Sequence, residues 1–189
     1  GSMSGERINI AVKALTLALR SLPYDSYFNV ISFGNNFKFM YPTSVKADQN
    51  SITQTIAKIS SFKADMGGTE ILAPMNACFF APQVVNYQRT IFLLTDGDVS
   101  NAVDVVKRTK EKCTLNCSRV FTIGIGNGVS ETFIKGVARA GNGGCEIIHN
   151  LTVIEDKVIS LLQSSYSPAL SNFRLEYDSN VVEAIAPFY

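Results

Sequence analysis

The 189 residues are 46% hydrophobic and 17% charged, which is enough apolar material for one packed domain and too much for a disordered chain. The formal net charge is +1 with Lys and Arg scattered, so no basic stripe points to nucleic acid or to an anionic membrane surface. The apolar run from Ile10 to Leu19 is broken by Lys13, and nothing reaches the roughly 18 apolar residues that a membrane span requires.

Following Gly5, the residues Ile8, Val12, Leu15, Leu19 and Leu22 recur at helical spacing until Pro23, which predicts a first helix with one apolar face. Residues 27–33 (Tyr-Phe-Asn-Val-Ile-Ser-Phe) are rich in aromatic and β-branched side chains and end at Gly34. Residues 37–41 follow across Gly34-Asn35-Asn36, so the two segments are expected to form a hairpin. Helical spacing through Ile52, Ile56 and Ile59 predicts a helix over 48–59, and a further helix is expected over 70–80 after Gly67-Gly68.

The segment 90–95 (Thr-Ile-Phe-Leu-Leu-Thr) is a continuous apolar run, as expected of a strand covered on both faces by helices. A helix over 100–112 follows it. The alternation then repeats, with a strand over 120–125 and a helix over 130–140, and again with a strand over 145–148 and a helix over 152–165. Such alternation predicts an α/β fold, a doubly wound and mostly parallel sheet with helices on both faces. Beyond Pro168, Phe173, Leu175 and Tyr177 alternate with Arg174, Glu176 and Asp178, the pattern of a strand with one face exposed. Residues 1–167 are therefore expected to form one domain and 168–189 the start of a further β segment.

In such a sheet, ligands gather at the carboxyl ends of the strands. Asp96 stands at such an end, in Thr95-Asp96-Gly97-Asp98, and delivers a carboxylate into a glycine-containing loop. Hard oxygen of this kind suits Mg2+, with Ser and Thr hydroxyls as neutral co-ligands. Gly67 and Gly68 free the backbone to bring the Thr69 hydroxyl toward the same point. One carboxylate with hydroxyls and waters leaves a divalent ion underneutralised, which invites an acidic group from another protein. Asp98 reads as a solvated acid, and Ser4 as a hydroxyl that satisfies the start of the first helix. His149, the only histidine, reads as a surface residue.

Gly124-Ile125-Gly126-Asn127-Gly128 lacks the spacing of a dinucleotide-binding loop and falls too late in the fold. Cys78, Cys113, Cys117 and Cys145 are too few for a disulfide scaffold. Cys113 and Cys117 are expected to be free thiols, with a local disulfide or half a metal clip as alternatives. Two sequons, at Asn116 and Asn150, leave the compartment open.

Three motifs, Gly1-Ser2-Met3-Ser4-Gly5 before a helix, Gly67-Gly68-Thr69-Glu70-Ile71-Leu72-Ala73-Pro74, and Leu93-Leu94-Thr95-Asp96-Gly97-Asp98, resemble the three loops of a von Willebrand factor type A domain with its metal-ion-dependent adhesion site. The segments 19–34, 64–74 and 133–140 are similar to the group called von Willebrand factor A domain-containing protein 5, in which a VIT domain precedes this module. Carried over by motif, the resemblance implies metal ligation by Ser2, Thr69 and Asp96. It implies Mg2+, with Mn2+ or Ca2+ as alternatives, and a partner protein whose Asp or Glu completes the octahedron. The family's first loop reads Asp-x-Ser-Gly-Ser, and only Gly1-Ser2 of it is found here, read as native rather than as a cloning scar. Its Asp, its first Ser and the apolar strand that runs through the middle of the sheet would lie ahead of residue 1. Weak Mg2+ binding is therefore expected of the chain as it stands. A gap in the sheet is expected too, filled by a swapped strand, by the segment 173–177 or by self-association.

The expected function is a non-enzymatic protein-interaction module, without nucleic acid and without a membrane span. The alternatives are a scaffold or assembly domain with a vestigial metal site, and a metal-dependent hydrolase. The thiols and the resemblance point to the cytoplasm, with secretion as the alternative.

Overall fold

A computed structural model describes residues 3–97 and 99–166. Helix α1, Glu6–Arg20, is followed by four short strands, β1 (Tyr27–Phe28), β2 (Ile31–Phe33), β3 (Phe37–Phe39) and β4 (Val45–Lys46), and by helices α2 (Gln49–Ile59) and α3 (Leu72–Phe80). Strand β5 (Thr90–Thr95), helix α4 (Ala102–Asn116), strand β6 (Arg119–Ile125), helix α5 (Glu131–Ala140), strand β7 (Cys145–Ile148) and helix α6 (Ile154–Tyr166) complete the described chain.

Strands β5, β6 and β7 lie side by side in that order, all parallel, with Thr90 opposite Arg119 and Thr122 opposite Cys145. Successive side chains of a strand point to opposite faces, and both faces of this sheet are dry. Ile91 and Leu93 pack with Met75, Val105, Val120 and Val137 under α3, α4 and α5. Phe92 and Leu94 pack with Ile10, Phe121, Ile148 and Leu161 under α1 and α6. A continuous apolar run is the sequence of such a strand because neither face is left for water.

The segment 27–33 is not one strand, as the residue pattern had suggested, but two. Asn29 interrupts it, since its Oδ1 accepts from the backbone N–H of Val30 at 2.8 Å and of Tyr41 at 3.2 Å, while its Nδ2 donates to the Tyr41 carbonyl at 2.8 Å. A side-chain amide thus takes the place of a rung of the ladder, and the strand divides into β1, paired antiparallel with β4, and β2, paired antiparallel with β3. The expected hairpin is β2–β3, closed between Phe33 and Phe37. Helix α2 opens with a reciprocal cap: Asp48 Oδ1 accepts from Ser51 N at 2.7 Å and Asp48 N donates to Ser51 Oγ at 3.1 Å.

Helix α1 corrects one expectation. Its N-cap is Gly5, at φ +76° and without a side-chain capping bond, so Ser4 does not cap it. The predicted stripe does lie on one face: Leu19 is buried with Phe28, Val30 and Ile59, Leu15 and Leu22 pack against them, and all of Ile8, Val12, Leu15, Leu19 and Leu22 border one cavity of about 940 Å³.

That cavity lies between β5 and the segment 27–33. Every residue of both segments lines it, not every second one, so both present a strand edge to it and not a face. Among the described residues β5 pairs only with β6, and β2 only with β3. The expected gap is therefore present, but the described residues neither fill nor collapse it. The expected strand over 173–177 lies outside the described residues.

Candidate metal centre

Strand β5 ends at Thr95, whose Oγ1 accepts from the Gly97 backbone N–H at 3.2 Å and tightens the turn that follows. Asp96 is carried on this turn with its side chain only 1% exposed. A buried carboxylate requires a compensating charge, and Arg7, the second residue of α1, supplies one, with Nη1 2.9 Å from Asp96 Oδ2. The guanidinium donates and the carboxylate accepts.

Thr69 meets the same turn. A Cβ built on Gly97 would lie 3.2 Å from Thr69 Cγ2 and 3.3 Å from Thr69 Oγ1, so the two loops approach closely at Gly97. Two of the three residues expected to hold a cation, Thr69 and Asp96, are thus neighbours. The third, Ser2, lies outside the described residues, as does Asp98.

The loop carrying Thr69 is tied to the β2–β3 hairpin. Asn35 N donates to the Met66 carbonyl at 2.8 Å, Asn35 Oδ1 accepts from Gly68 N at 2.9 Å, and Glu70 N donates to the Gly34 carbonyl at 2.9 Å. Gly67 adopts φ +81° directly beside the Asn35 amide, where a Cβ would collide with it. Asn35 therefore orients the Thr69 loop, although in the sequence it is only one polar residue of a turn. Arg7 is equally easy to miss, because a single cation in the first turn of an amphipathic helix looks like solvent-facing charge.

Strand β6 contributes its far end. Gly126, at φ +91°, lies beneath the Arg7 side chain, and a Cβ there would sit 3.3 Å from Arg7 Nε. Ser4, Glu6, Arg7, Asn127 and His149 border a polar cavity of about 360 Å³ on this rim. His149 is exposed. Among the described residues no three His, Cys, Asp or Glu side chains group together as a metal cluster. The local donors are one buried carboxylate and one hydroxyl, hard oxygen that fits Mg2+ or Mn2+ better than a soft metal.

All four cysteines are free thiols. Burial pushes the thiols of Cys78 and Cys113 up to about 11, which keeps both protonated at neutral pH.

A parallel sheet covered by helices on both faces, with its loops meeting at the carboxyl end of a strand, defines a Rossmann-like α/β protein. The profile of the von Willebrand factor type A domain matches residues 1–147, and the chain belongs to that family. It is 34% identical over 176 residues to the human von Willebrand factor A domain-containing protein 5A, covering 90% of this chain and 22% of that protein. This places it in the domain-containing protein 5 group, and it spans about a fifth of that relative's length. Among solved structures, a von Willebrand factor type A protein from Catenulispora acidiphila superposes with a TM-score of 0.69 at 19% identity, over 82% of this chain and 37% of that one. Proximal thread matrix protein 1 from the mussel byssus, in a form with a zinc-occupied adhesion motif, superposes with a TM-score of 0.63 at 14% identity, over 82% of this chain and 41% of that one.

Proposed function

We propose that this domain is a non-enzymatic protein-interaction module of a cytoplasmic protein, in which Ser2, Thr69 and Asp96 hold Mg2+ and an Asp or Glu of the partner protein completes the coordination. The observation that carries this reading is the placement of Asp96. Its carboxylate is buried at the end of an apolar strand, in a loop that touches the Thr69 hydroxyl and is already engaged with a positive charge. Magnesium favours near-octahedral oxygen coordination and commonly retains several waters. Among the described residues the site brings one carboxylate and the Thr69 hydroxyl, which leaves room, in coordination number and in charge, for an acidic group from outside. The zinc-occupied motif of the mussel protein supports a cation at this place in the fold. Four free thiols, the exposed Cys117 among them, support a reducing compartment.

The test is Asp96→Ala in the full-length protein, read by calorimetry with Mg2+ and Mn2+ and by capture of the partner. Loss of both cation and partner binding is expected, with partner affinity falling by about 100-fold or more, since removing one member of a buried charged contact commonly costs roughly 3 kcal/mol. Partner binding that survives the substitution would assign the contact to a scaffold role with a vestigial site. That second reading draws on one observation of its own, the two strand edges that border the cavity of about 940 Å³ and pair with no further strand among the described residues. Hydrolysis of phosphate or carboxylic esters by the full-length protein would speak for the hydrolase alternative.

A further inference from the structure

The charge that compensates Asp96 comes from within the chain, and its source sits where it can interfere with a cation. Arg7 Nη1 lies 2.9 Å from Asp96 Oδ2, with the carboxylate 1% exposed and the arginine side chain 44% exposed. A guanidinium in this position occupies one of the two carboxylate oxygens open to a divalent ion and sets a positive charge beside the other. Both carry positive charge, so their simultaneous approach to one buried carboxylate is opposed in the low local dielectric.

The route of the arginine side chain is also built into the fold. From the first turn of α1 it crosses the end of β6, where the missing side chain of Gly126 leaves space that a Cβ would take, 3.3 Å from Nε and 3.7 Å from Cγ and Cδ. The glycine run at 124–128, which has no dinucleotide to bind, thereby acquires a role: it lets a cation from the opposite element reach the end of β5. The exposed half of Arg7 borders the polar cavity of about 360 Å³ with Glu6 and Asn127, so the guanidinium has water and polar neighbours to turn toward on leaving Asp96.

We propose that Arg7 is a built-in competitor for the cation, a latch that holds Asp96 in the cation-free protein and must swing off before a divalent ion binds there. The inference rests on the reading of Asp96 as a cation ligand. It makes Arg7 a residue that sets affinity without itself touching the ion. Apparent affinity falls by the fraction of molecules in which the site is accessible, so a latch closed in about 90% of molecules weakens binding about tenfold.

The test titrates the full chain and its variants with Mn2+, following free Mn2+ by electron paramagnetic resonance and stability by the Mn2+-induced rise in melting temperature. Arg7→Gln is expected to bind Mn2+ about tenfold more tightly than wild type. In the metal-free state it should melt lower, because Asp96 loses the Arg7 charge, and with Mn2+ it should show the larger rise. Arg7→Lys, which keeps the charge and loses the planar fork, should fall between the two, and it carries the test if the Gln variant does not fold. Asp96→Asn should abolish binding. If both Arg7 variants bind no more tightly than wild type while Asp96→Asn abolishes binding, the latch is overturned and the cation reading stands. If millimolar Mn2+ binds neither wild type nor the Arg7 variants, or binds regardless of Asp96→Asn, both are overturned.

Discussion

The two halves of this domain hold their backbones in different ways. Around β5, β6 and β7 the ladder is continuous, the strands run to seven residues, and Phe121, fully buried, stacks on Phe92 with ring centroids 5.4 Å apart. Around β1 to β4 the strands are two or three residues long, and side chains do what the ladder does elsewhere. Asn29 bridges the broken strand to Tyr41, and Asp48 with Ser51 closes the start of α2. The first half is secured by burial, which is insensitive to any single polar group. The second has a smaller core of its own around Phe28, Val30 and Ile59 and leans more on a few side-chain hydrogen bonds.

The comparison can be broken at three points. Phe121→Ala in the burial-dominated half should cost the most, about 3–5 kcal/mol, the usual toll for emptying a fully buried aromatic site, read as a shift in the denaturation midpoint. A loss of under about 1 kcal/mol would show that the parallel sheet is not the stability centre. Asn29→Ala removes one side chain and leaves three backbone groups of Val30 and Tyr41 without their partner. About 1–3 kcal/mol is expected, with hydrogen exchange speeding up in β1–β4 and little change in β5–β7. Uniform acceleration across both halves would mean that they unfold as one cooperative unit.

The smallest effect concerns acidity. The hydrogen bond from the Ser51 backbone N–H, the largest cause, holds the Asp48 carboxyl below its ordinary value. A group whose folded pKa is depressed contributes stability that is complete above its unfolded value, about 3.9, and is lost as pH falls through the lower folded value. Fraying of the first turn of α2 should therefore set in only under acid. Asp48→Ala should give the same fraying at neutral pH and remove its pH dependence, as read by amide exchange at Ser51 and Ile52.

How much of this was legible in the sequence follows the same division. Strand β5 stands where its apolar run begins and ends, at Thr90–Thr95, because a strand covered on both faces leaves little room for charge; β7, Cys145–Ile148, was legible from its place in the strand–helix alternation although it carries Glu146. Strand β4, Val45–Lys46, left no trace, since two residues cannot show a period. The break at Asn29 was hidden inside a run of strand-forming residues because amide bridging leaves no compositional mark. The stripe on α1 was legible as a stripe, but not which element it faces. At the rim, Thr69 and Asp96 were readable because a hydroxyl after a double glycine and a carboxylate after an apolar strand each have a local reason to be there. Arg7 and Asn35 were not, because each acts on a loop far away in the sequence, 89 and 33 residues distant.

The side of β5 that pairs with no strand among the described residues also matters for handling the protein. Thr90-Ile91-Phe92-Leu93-Leu94-Thr95 contains no charge, no proline and no glycine, the composition that nucleates cross-β stacking when its amides are open to another molecule. The hydrophobicity that lets helices cover both faces of this strand thus becomes a hazard at high protein concentration.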